Sequence, residues 1–491
     1  MGHVLPDRPD VNHDAPREAC GVFGVCAPGS QVAHLTFDGL YALQHRGQES
    51  AGMAVSDGTE MMVVKDMGLV TNVFNEYKLA SLQGHLAIGH TRYSTTGAST
   101  WHNAQPVFRM SSKSASRPEP VTFALGHNGN LTNTEKLAAD MGMLPGTVTN
   151  DSDLIAELLV RHLDACPDDD LMAAVMAVMP KLEGAFSLVV LGRDRLIGLR
   201  DPHGFRPLCL GKLDRGWVLA SETPALDVTG AHFVRELDPG EVIQIDAEEG
   251  PRSASPWPAA AIDPKLCLFE FVYLARPDSR LYDQELHSAR IRMGELLAEQ
   301  APVDADMVMG VPDGGLPAAE GFARRSGIRY GQGLVKNRYI GRTFIVPDQA
   351  QRAQGVRRKL NPLRDAIAGQ RLVVVDDSIV RGTTTRAMVR MLREAGAAEV
   401  HLRISSPPYR WPCYYGLDTG TRAELIAANL TVGEIEEYLG ADSLAYLSLD
   451  ALKKATGAPG AGFCDACLTG DYPDEVPVTL GRKAAVGTPV A

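Results

Sequence analysis

Apolar positions in the first half of the chain fall into short runs bounded by Gly, Asn, Asp and Ser. The runs at Gly21–Cys26, Met61–Lys65, His85–Gly89, Val121–Leu125, Ser187–Leu191 and Trp217–Ala220 predict strands. Over Val32–Leu43 and Asp153–Leu163 the apolar residues recur at three- and four-residue steps, which predicts helices. A stretch rich in Pro, Ala and Ser, Gly250–Pro264, then breaks the pattern and reads as a connector. Beyond it the rhythm changes to strand and helix in turn: Met307–Val311, a helix from Ala318, Leu372–Val375, a helix from Thr384 with Gly396 as its C-terminal stop, and His401–Ser405. Such alternation implies a parallel sheet covered on both faces, with a ligand beyond the carboxyl ends of its strands. There is no internal repeat, and the tail after Gly470 is expected to wind irregularly over the surface.

At 491 residues the chain exceeds what one core holds, so two or three domains are expected. A hydrophobic content of 45% with 22% charged residues is that of an ordinary globular protein. The net charge of −12 argues against nucleic acid as the main ligand, because a phosphate backbone wants a basic face. No apolar run approaches the ~18–20 residues that span a bilayer, and Met1–Ala19 lacks the apolar segment of a secretory signal. Eight cysteines in a long chain without an export signal point to metal or catalytic roles rather than a disulfide framework. The expected setting is cytoplasmic, with no membrane partner.

The richest chemistry lies in LVVVDDSIVRGTT, Leu372–Thr384. A buried strand runs into two adjacent carboxylates, Asp376 and Asp377, then a Ser/Thr/Gly turn, then a helix. Backbone N–H groups and hydroxyls of the turn would face an anion at the positive end of that helix. The two carboxylates could hold ribose hydroxyls or, through water, Mg²⁺. The lysine of a Walker loop is missing. The segment resembles the binding motif for 5-phosphoribosyl-1-pyrophosphate (PRPP) in type I phosphoribosyltransferases. By that resemblance Asp376, Asp377, Ser378, Arg381, Gly382, Thr383 and Thr384 contact PRPP.

In the first half, EACGVFG around Cys20, ALQHRGQESAG (Ala42–Gly52), GHTRYSTTG (Gly89–Gly97) and GHNGNL (Gly126–Leu131) carry glycines and polar residues without strand or helix periodicity. Taken alone, Cys20 reads equally as a small buried hydrophobe. Together these segments resemble the glutaminase domain of N-terminal-nucleophile amidotransferases. The resemblance implies an αββα sandwich and a cut before Cys20, making residues 1–19 a propeptide. The freed α-amine, with a pKa near ~8, would take the thiol proton. It further implies that Cys20 attacks the glutamine amide and that Asn128 and Gly129 stabilise the oxyanion. Arg92 would clamp the α-carboxylate and Asp151 the α-ammonium.

Cys464 and Cys467 form a C-x-x-C pair, which alone is ambiguous between zinc, an iron–sulfur cluster and a redox couple. A closed site needs two more thiolates, and Cys267 and Cys413 are well placed to supply them. Cys26, Cys166 and Cys209 are assigned to packing. From Cys20 to about Tyr472 the order of motifs resembles the cluster-containing amidophosphoribosyltransferases, in which cysteines in these four contexts hold a 4Fe-4S cluster. The implied organisation is a glutaminase domain over residues 20–262 and a phosphoribosyltransferase domain over 263–491, which carries the cluster ligands and the C-terminal tail.

The resemblance implies conversion of PRPP, glutamine and water to 5-phosphoribosylamine, pyrophosphate and glutamate, the first committed step of purine biosynthesis. It implies Mg²⁺ as cofactor, purine nucleotides as feedback inhibitors and a homotetramer. Lys336, Arg338, Arg342 and Arg358 become candidate pyrophosphate contacts on a closing loop. One departure stands in VPDGGLPAA (Val311–Ala319): the common pattern has a metal-linked serine where this chain has Gly314. Either a backbone carbonyl or water replaces that hydroxyl, or phosphoribosyl transfer is altered. The alternative function is a PRPP-binding regulatory or specialised-pathway relative.

Overall fold

The computed structural model describes residues 20–93, 99–113, 119–144, 148–337, 359–417, 419, 421–458, 460 and 462–476. The sequence-predicted propeptide, Arg338, Arg342, Arg358 and the tail beyond 476 lie outside the described residues.

Thirteen strands build the first half: β1 (Gly21–Cys26), β2 (Ser50–Ser56), β3 (Met61–Met67), β4 (Leu86–Arg92), β5 (Val107–Met110), β6 (Thr122–Leu131), β7 (Gly184–Leu191), β8 (Leu196–Arg200), β9 (Cys209–Leu213), β10 (Gly216–Ala220), β11 (His232–Glu236), β12 (Val242–Asp246) and β13 (Gly250–Ala254). They form two antiparallel sheets, in the orders β11-β9-β10-β1-β4-β2-β3 and β13-β12-β8-β7-β6-β5. Val22, Ile88, Val189, Leu219 and Ile243 fill the space between the sheets. The helix Val32–Ala42 packs its Val32, Ala33 and Leu40 on the outer face of one sheet. The helices Asp151–Ala165 and Leu171–Val178 cover the other. The result is the expected helix–sheet–sheet–helix sandwich.

The second half holds a parallel sheet of Met307–Gly310, Arg371–Asp376, Glu399–Ile404 and Ser443–Tyr446, in that order. Helices cover both faces, with Leu286–Gln300 and Leu316–Ser326 on one and Thr383–Glu394 on the other. The two strands Met307–Gly310 and Arg371–Asp376 are buried on both sides and read as near-continuous apolar runs.

Three local readings change. Ser50–Ser56 (SAGMAVS) is a fully buried strand whose small residues give no alternation. GHNGNL, read as aperiodic, is the end of β6. The first five connector residues, Gly250–Ala254, are an edge strand paired with β12. Pro251 is tolerated there because an edge strand has one unpaired side.

Between the two halves lies a dry ionic junction. Arg46, Arg206, Glu222 and Glu270 are each at most 1% exposed. Glu270, from the second half, accepts from Arg46 Nη2 at 2.6 Å and from Arg206 Nη1 at 3.2 Å, both from the first. Arg46 also donates through Nε to Glu222, whose other oxygen takes the Arg276 N–H at 2.9 Å. Burial alone would raise the Glu222 carboxyl, but Arg46 and His45 overcome it and hold it well below the usual carboxylate range.

Removing one member of such a set leaves uncompensated buried charge. Glu270→Ala is therefore expected to cost on the order of 3–5 kcal/mol. Glu270→Gln, which keeps hydrogen-bonding capacity, is expected to cost less. Thermal and urea unfolding of the three proteins would measure this. Equal stability of wild type and Glu270→Ala would show that the junction is not holding the halves together.

Candidate functional site

Cys20 immediately precedes β1, which pairs with β4, so the end of β4 is brought to its side. Cys20 Sγ lies 3.3 Å from the Tyr93 carbonyl oxygen and receives the Tyr93 N–H at 3.4 Å. Burial pushes the thiol up to about 11; the Tyr93 hydrogen bond and Arg92 act against that rise, while Asp151 and Glu49 add to it. A thiol so placed is protonated at neutral pH and needs a base before it can attack. The charged groups acting most strongly on it are Arg92, Asp151 and Glu49, and no imidazole stands among them.

Asn128 and Gly129 follow one another in β6. The Asn128 side chain is fully buried, and neither its Oδ1 nor its Nδ2 has a partner among the described residues. An unsatisfied buried amide is costly, and a ligand that hydrogen-bonds to it would relieve the cost. Gly129 has φ +153°, and a Cβ there would stand 2.0 Å from the Ala185 carbonyl oxygen, so only glycine fits. Asp151 opens the helix Asp151–Ala165, which Asn150 caps by accepting the Asp153 N–H. Its carboxylate accepts the Ser152 N–H at 2.8 Å and the Leu131 N–H at 3.3 Å. Arg92 is buried, 3.8 Å from the Glu49 carboxylate.

Four supporting residues escaped the sequence reading. His127 Nδ1 lies 3.1 Å from Ser152 Oγ and 3.6 Å from Asp151 Oδ2. Gln105 donates to Ser152 Oγ at 3.0 Å and accepts the His127 N–H at 2.8 Å. His90 Nε2 lies 2.9 Å from the His127 carbonyl oxygen, and burial drives its imidazole down to about 3, leaving it neutral. His127 and Ser152 adjoin Asn128 and Asp151 in the sequence and were legible as neighbours. His90 likewise stood two residues before Arg92 in GHTRYSTTG, whereas Gln105 had no such signal.

The second constellation lies at the carboxyl end of the parallel sheet. Met307–Gly310 and Arg371–Asp376 run side by side, and the Val311 N–H donates to the Val375 carbonyl at 2.9 Å. The Val311–Gly315 loop therefore meets the Asp376–Asp377 turn. Asp377 is buried, with Ser378 Oγ donating to its Oδ1 at 2.6 Å. Burial raises its carboxyl to about 6, against the opposing pull of Ser378 and Arg290. Gly382, at φ +78°, caps the helix Thr383–Glu394. Arg381 pairs with Glu424 at 2.6 Å, and Lys336 with Asp313 of the facing loop.

Gly314 does not take a positive φ, so its backbone conformation alone does not demand glycine. A Cβ there would instead fall 2.0 Å from Asp377 Oδ2. The carboxylate fills the space a side chain would need, and a serine would have to displace it.

Cys267, Cys413, Cys464 and Cys467 are brought together from distant segments. Cys267 and Cys464 are register partners in a short parallel pairing. Burial pushes the Cys467 thiol well above its ordinary value, and Cys413, Cys267 and Cys464 all push it the same way. Cys413 Sγ receives the Tyr415 N–H at 3.3 Å. The loop carrying Cys413 also reaches the first half. Arg206 donates twice to the Tyr415 carbonyl, at 2.9 and 2.6 Å, and Asn130 Nδ2 donates to the Tyr414 carbonyl at 2.9 Å.

Comparison with known proteins falls on the same regions. A glutamine amidotransferase domain family matches residues 90–228 and a phosphoribosyl transferase domain family matches residues 284–405. An amidophosphoribosyltransferase of Mycobacterium tuberculosis is 52% identical, covering 99% of this chain and 91% of that protein. One from Methanocaldococcus jannaschii is 44% identical over 94% of this chain and 100% of its own. Among solved structures, glutamine PRPP amidotransferase from B. subtilis, complexed with ADP and GMP, superposes with a TM-score of 0.85 at 42% identity, covering 94% of this chain and 99% of that one.

The buried acidic turn gives a pH signature. Asp377 titrates near 6 in the folded protein against 3.8 for an unperturbed carboxyl. Between those values the folded state holds a proton that the unfolded chain has lost, so this group's contribution to stability falls as pH rises from about 4 to about 6. The full drop is about 3 kcal/mol at most. Asp377→Asn removes the titration. The stability difference, wild type minus variant, should therefore decline across that window in denaturation measured without ligand. A difference that stays level would mean the carboxyl is not perturbed.

Proposed function

This chain belongs to the amidophosphoribosyltransferase family, whose activity serves purine biosynthesis, and from that premise we propose a division of chemistry between its halves. In this reading residues 20–262 hydrolyse glutamine and residues 263–491 join the released ammonia to the ribose of PRPP, yielding 5-phosphoribosylamine, pyrophosphate and glutamate.

Cys20 is the nucleophile, and cleavage before it removes residues 1–19. The freed α-amine is the base that the protonated thiol calls for. The carrying observation is the buried Asn128 amide without a partner, which a tetrahedral oxyanion would satisfy together with the Gly129 N–H. Losing one such donor typically costs ~3–4 kcal/mol of transition-state stabilisation. Arg92 holds the glutamine α-carboxylate through its planar fork, and Asp151, kept in place by the Ser152 and Leu131 N–H groups, holds the α-ammonium.

In the second half Asp376 and Asp377 hold the ribose hydroxyls. The 5′-phosphate sits on the turn from Ser378 through Arg381, Gly382, Thr383 and Thr384 at the helix N-terminus. Lys336 and Arg358 are the candidate pyrophosphate contacts in this reading. The family uses Mg²⁺, which the two carboxylates and the Gly314 carbonyl would hold through water, and which neutralises the leaving pyrophosphate. Ionised Asp377 is the binding form.

The four cysteines suit a 4Fe-4S cluster better than one zinc ion. Tetrahedral zinc at its usual sulfur distance brings thiolates within about 3.8 Å of one another. No three of these sulfurs lie within 4.8 Å of each other among the described residues. A polynuclear cluster binds each thiolate to its own iron and spreads them further apart. Purine nucleotides regulate the enzyme in this reading, as the ADP and GMP bound by the B. subtilis relative suggest, and the assembly is a homotetramer.

Cys20→Ala is expected to abolish glutamine-dependent synthesis and leave ammonia-dependent synthesis largely intact, measured as phosphoribosylamine trapped by the next enzyme. Loss of both would make Cys20 structural. Intact-mass measurement of active enzyme is expected to find a chain beginning at Cys20. Metal analysis of anaerobically purified protein should return about four iron and four sulfide per chain. Stoichiometric zinc without iron would overturn the cluster.

A further inference from the structure

At the far end of the helix that carries Asp151 stands a group of side chains that the reaction does not use. His162 lies in its last turn, Cys166 is its C-cap, and Asp169 follows in the turn to the next helix. One ligand atom from each, imidazole nitrogen, thiol sulfur and carboxylate oxygen, lies within 4.8 Å of the other two. Among the described residues this is the only such group of three. His162 Nε2 is 2.7 Å from Asp169 Oδ2. An ordinary ion pair would account for those two alone. It leaves unexplained the soft third donor, Cys166, which is partly exposed rather than packed in the core as expected.

The backbone shapes the group. The Cys166 N–H closes the helix on the His162 carbonyl at 2.8 Å, and the Asp169 N–H returns to the Cys166 carbonyl at 3.0 Å. The turn thus folds Asp169 back over the helix end. Carbonyls at a helix C-terminus carry partial negative charge, which favours a cation. One thiolate, one imidazole and one carboxylate form a borderline donor set suited to zinc, with a fourth position left for water.

We propose that His162, Cys166 and Asp169 bind a zinc-class divalent cation, separate from the four-cysteine site and from Mg²⁺. On binding, the Cys166 thiol releases its proton to solvent and the imidazole takes the tautomer protonated on Nδ1, exchanging its hydrogen bond with Asp169 for the metal. The site lies about 16 Å along the helix from Asp151. The ion therefore clamps the helix end to the following turn and takes no part in the chemistry.

The test uses the full chain with its four-cysteine site loaded. Zn²⁺ binding is measured by competition with a chelator of known affinity in wild type, Cys166→Ser, His162→Gln and Asp169→Asn. Wild type should hold one more zinc per chain, and each variant should bind that zinc at least about tenfold more weakly. With Co²⁺ as the probe, wild type should show thiolate-to-cobalt charge-transfer absorption that Cys166→Ser lacks. Added Zn²⁺ should raise the melting temperature of wild type alone, with glutaminase activity unchanged in all four proteins. Equal zinc content and equal cobalt spectra across the set would mean adventitious surface binding and overturn the site. Should one variant fail to fold, the other two still decide the question.

Discussion

Two guanidinium groups share one carboxylate in a place water does not reach. Glu270 stands between Arg46 and Arg206, and the two halves of the chain meet around it. Each of these charges would be prohibitive alone, since a buried ion without a partner costs several kcal/mol. Together they are tolerable in one relative placement of the domains. Such a junction favours one relative placement of the domains, because any other leaves a buried charge without its partner. Apolar packing across the seam would tolerate small slides; a fork of directed N–H···O bonds does not.

The rest of the site geometry follows from that placement. Glu270 lies three residues after Cys267, and Arg206 binds the Tyr415 carbonyl beside Cys413. The four-cysteine site is thus fastened to the same arginine that fixes the domain contact. Asn130, two residues beyond Asn128, reaches the neighbouring Tyr414 carbonyl. On the other side, Arg290 donates to the Phe271 and Ala275 carbonyls and acts electrostatically on Asp377. From the Asn128–Gly129 strand, directed polar contacts run through Arg206 and Glu270 towards Arg290, whose charge acts in turn on Asp377.

Much of this was legible in the sequence because its elements are locally encoded. The run Leu372–Val375 followed by two aspartates could be read as a strand end with anion chemistry from thirteen residues. Cys20 and GHNGNL were likewise readable from their company. Tertiary context was not. GHNGNL is strand because β7 lies beside it across a full ladder, although its own residues favour turns. Arg46 looked like one polar residue in an aperiodic segment, and nothing near Glu222 or Glu270 marked them as its partners across 176 and 224 positions. The fit between Gly314 and Asp377 was invisible for the same reason: two positions distant in sequence compete for one volume. Cys166 went to the core by default, since free cysteines usually do, and only the turn that brings Asp169 back shows its company.

At the seam Gly416 meets Gly129 with almost no side chain between them. Gly416 has φ +101°, and a Cβ on it would fall 3.1 Å from the Gly129 carbonyl carbon. Here the loop that carries Cys413 touches the strand of Asn128 and Gly129 main chain to main chain. Contacts of this kind carry little memory of amino-acid identity. Side chains on either flank can drift over evolutionary time while the path of the two backbones, pinned by two glycines, keeps the halves in alignment. An alignment carried by two backbones leaves the side chains around it free to differ.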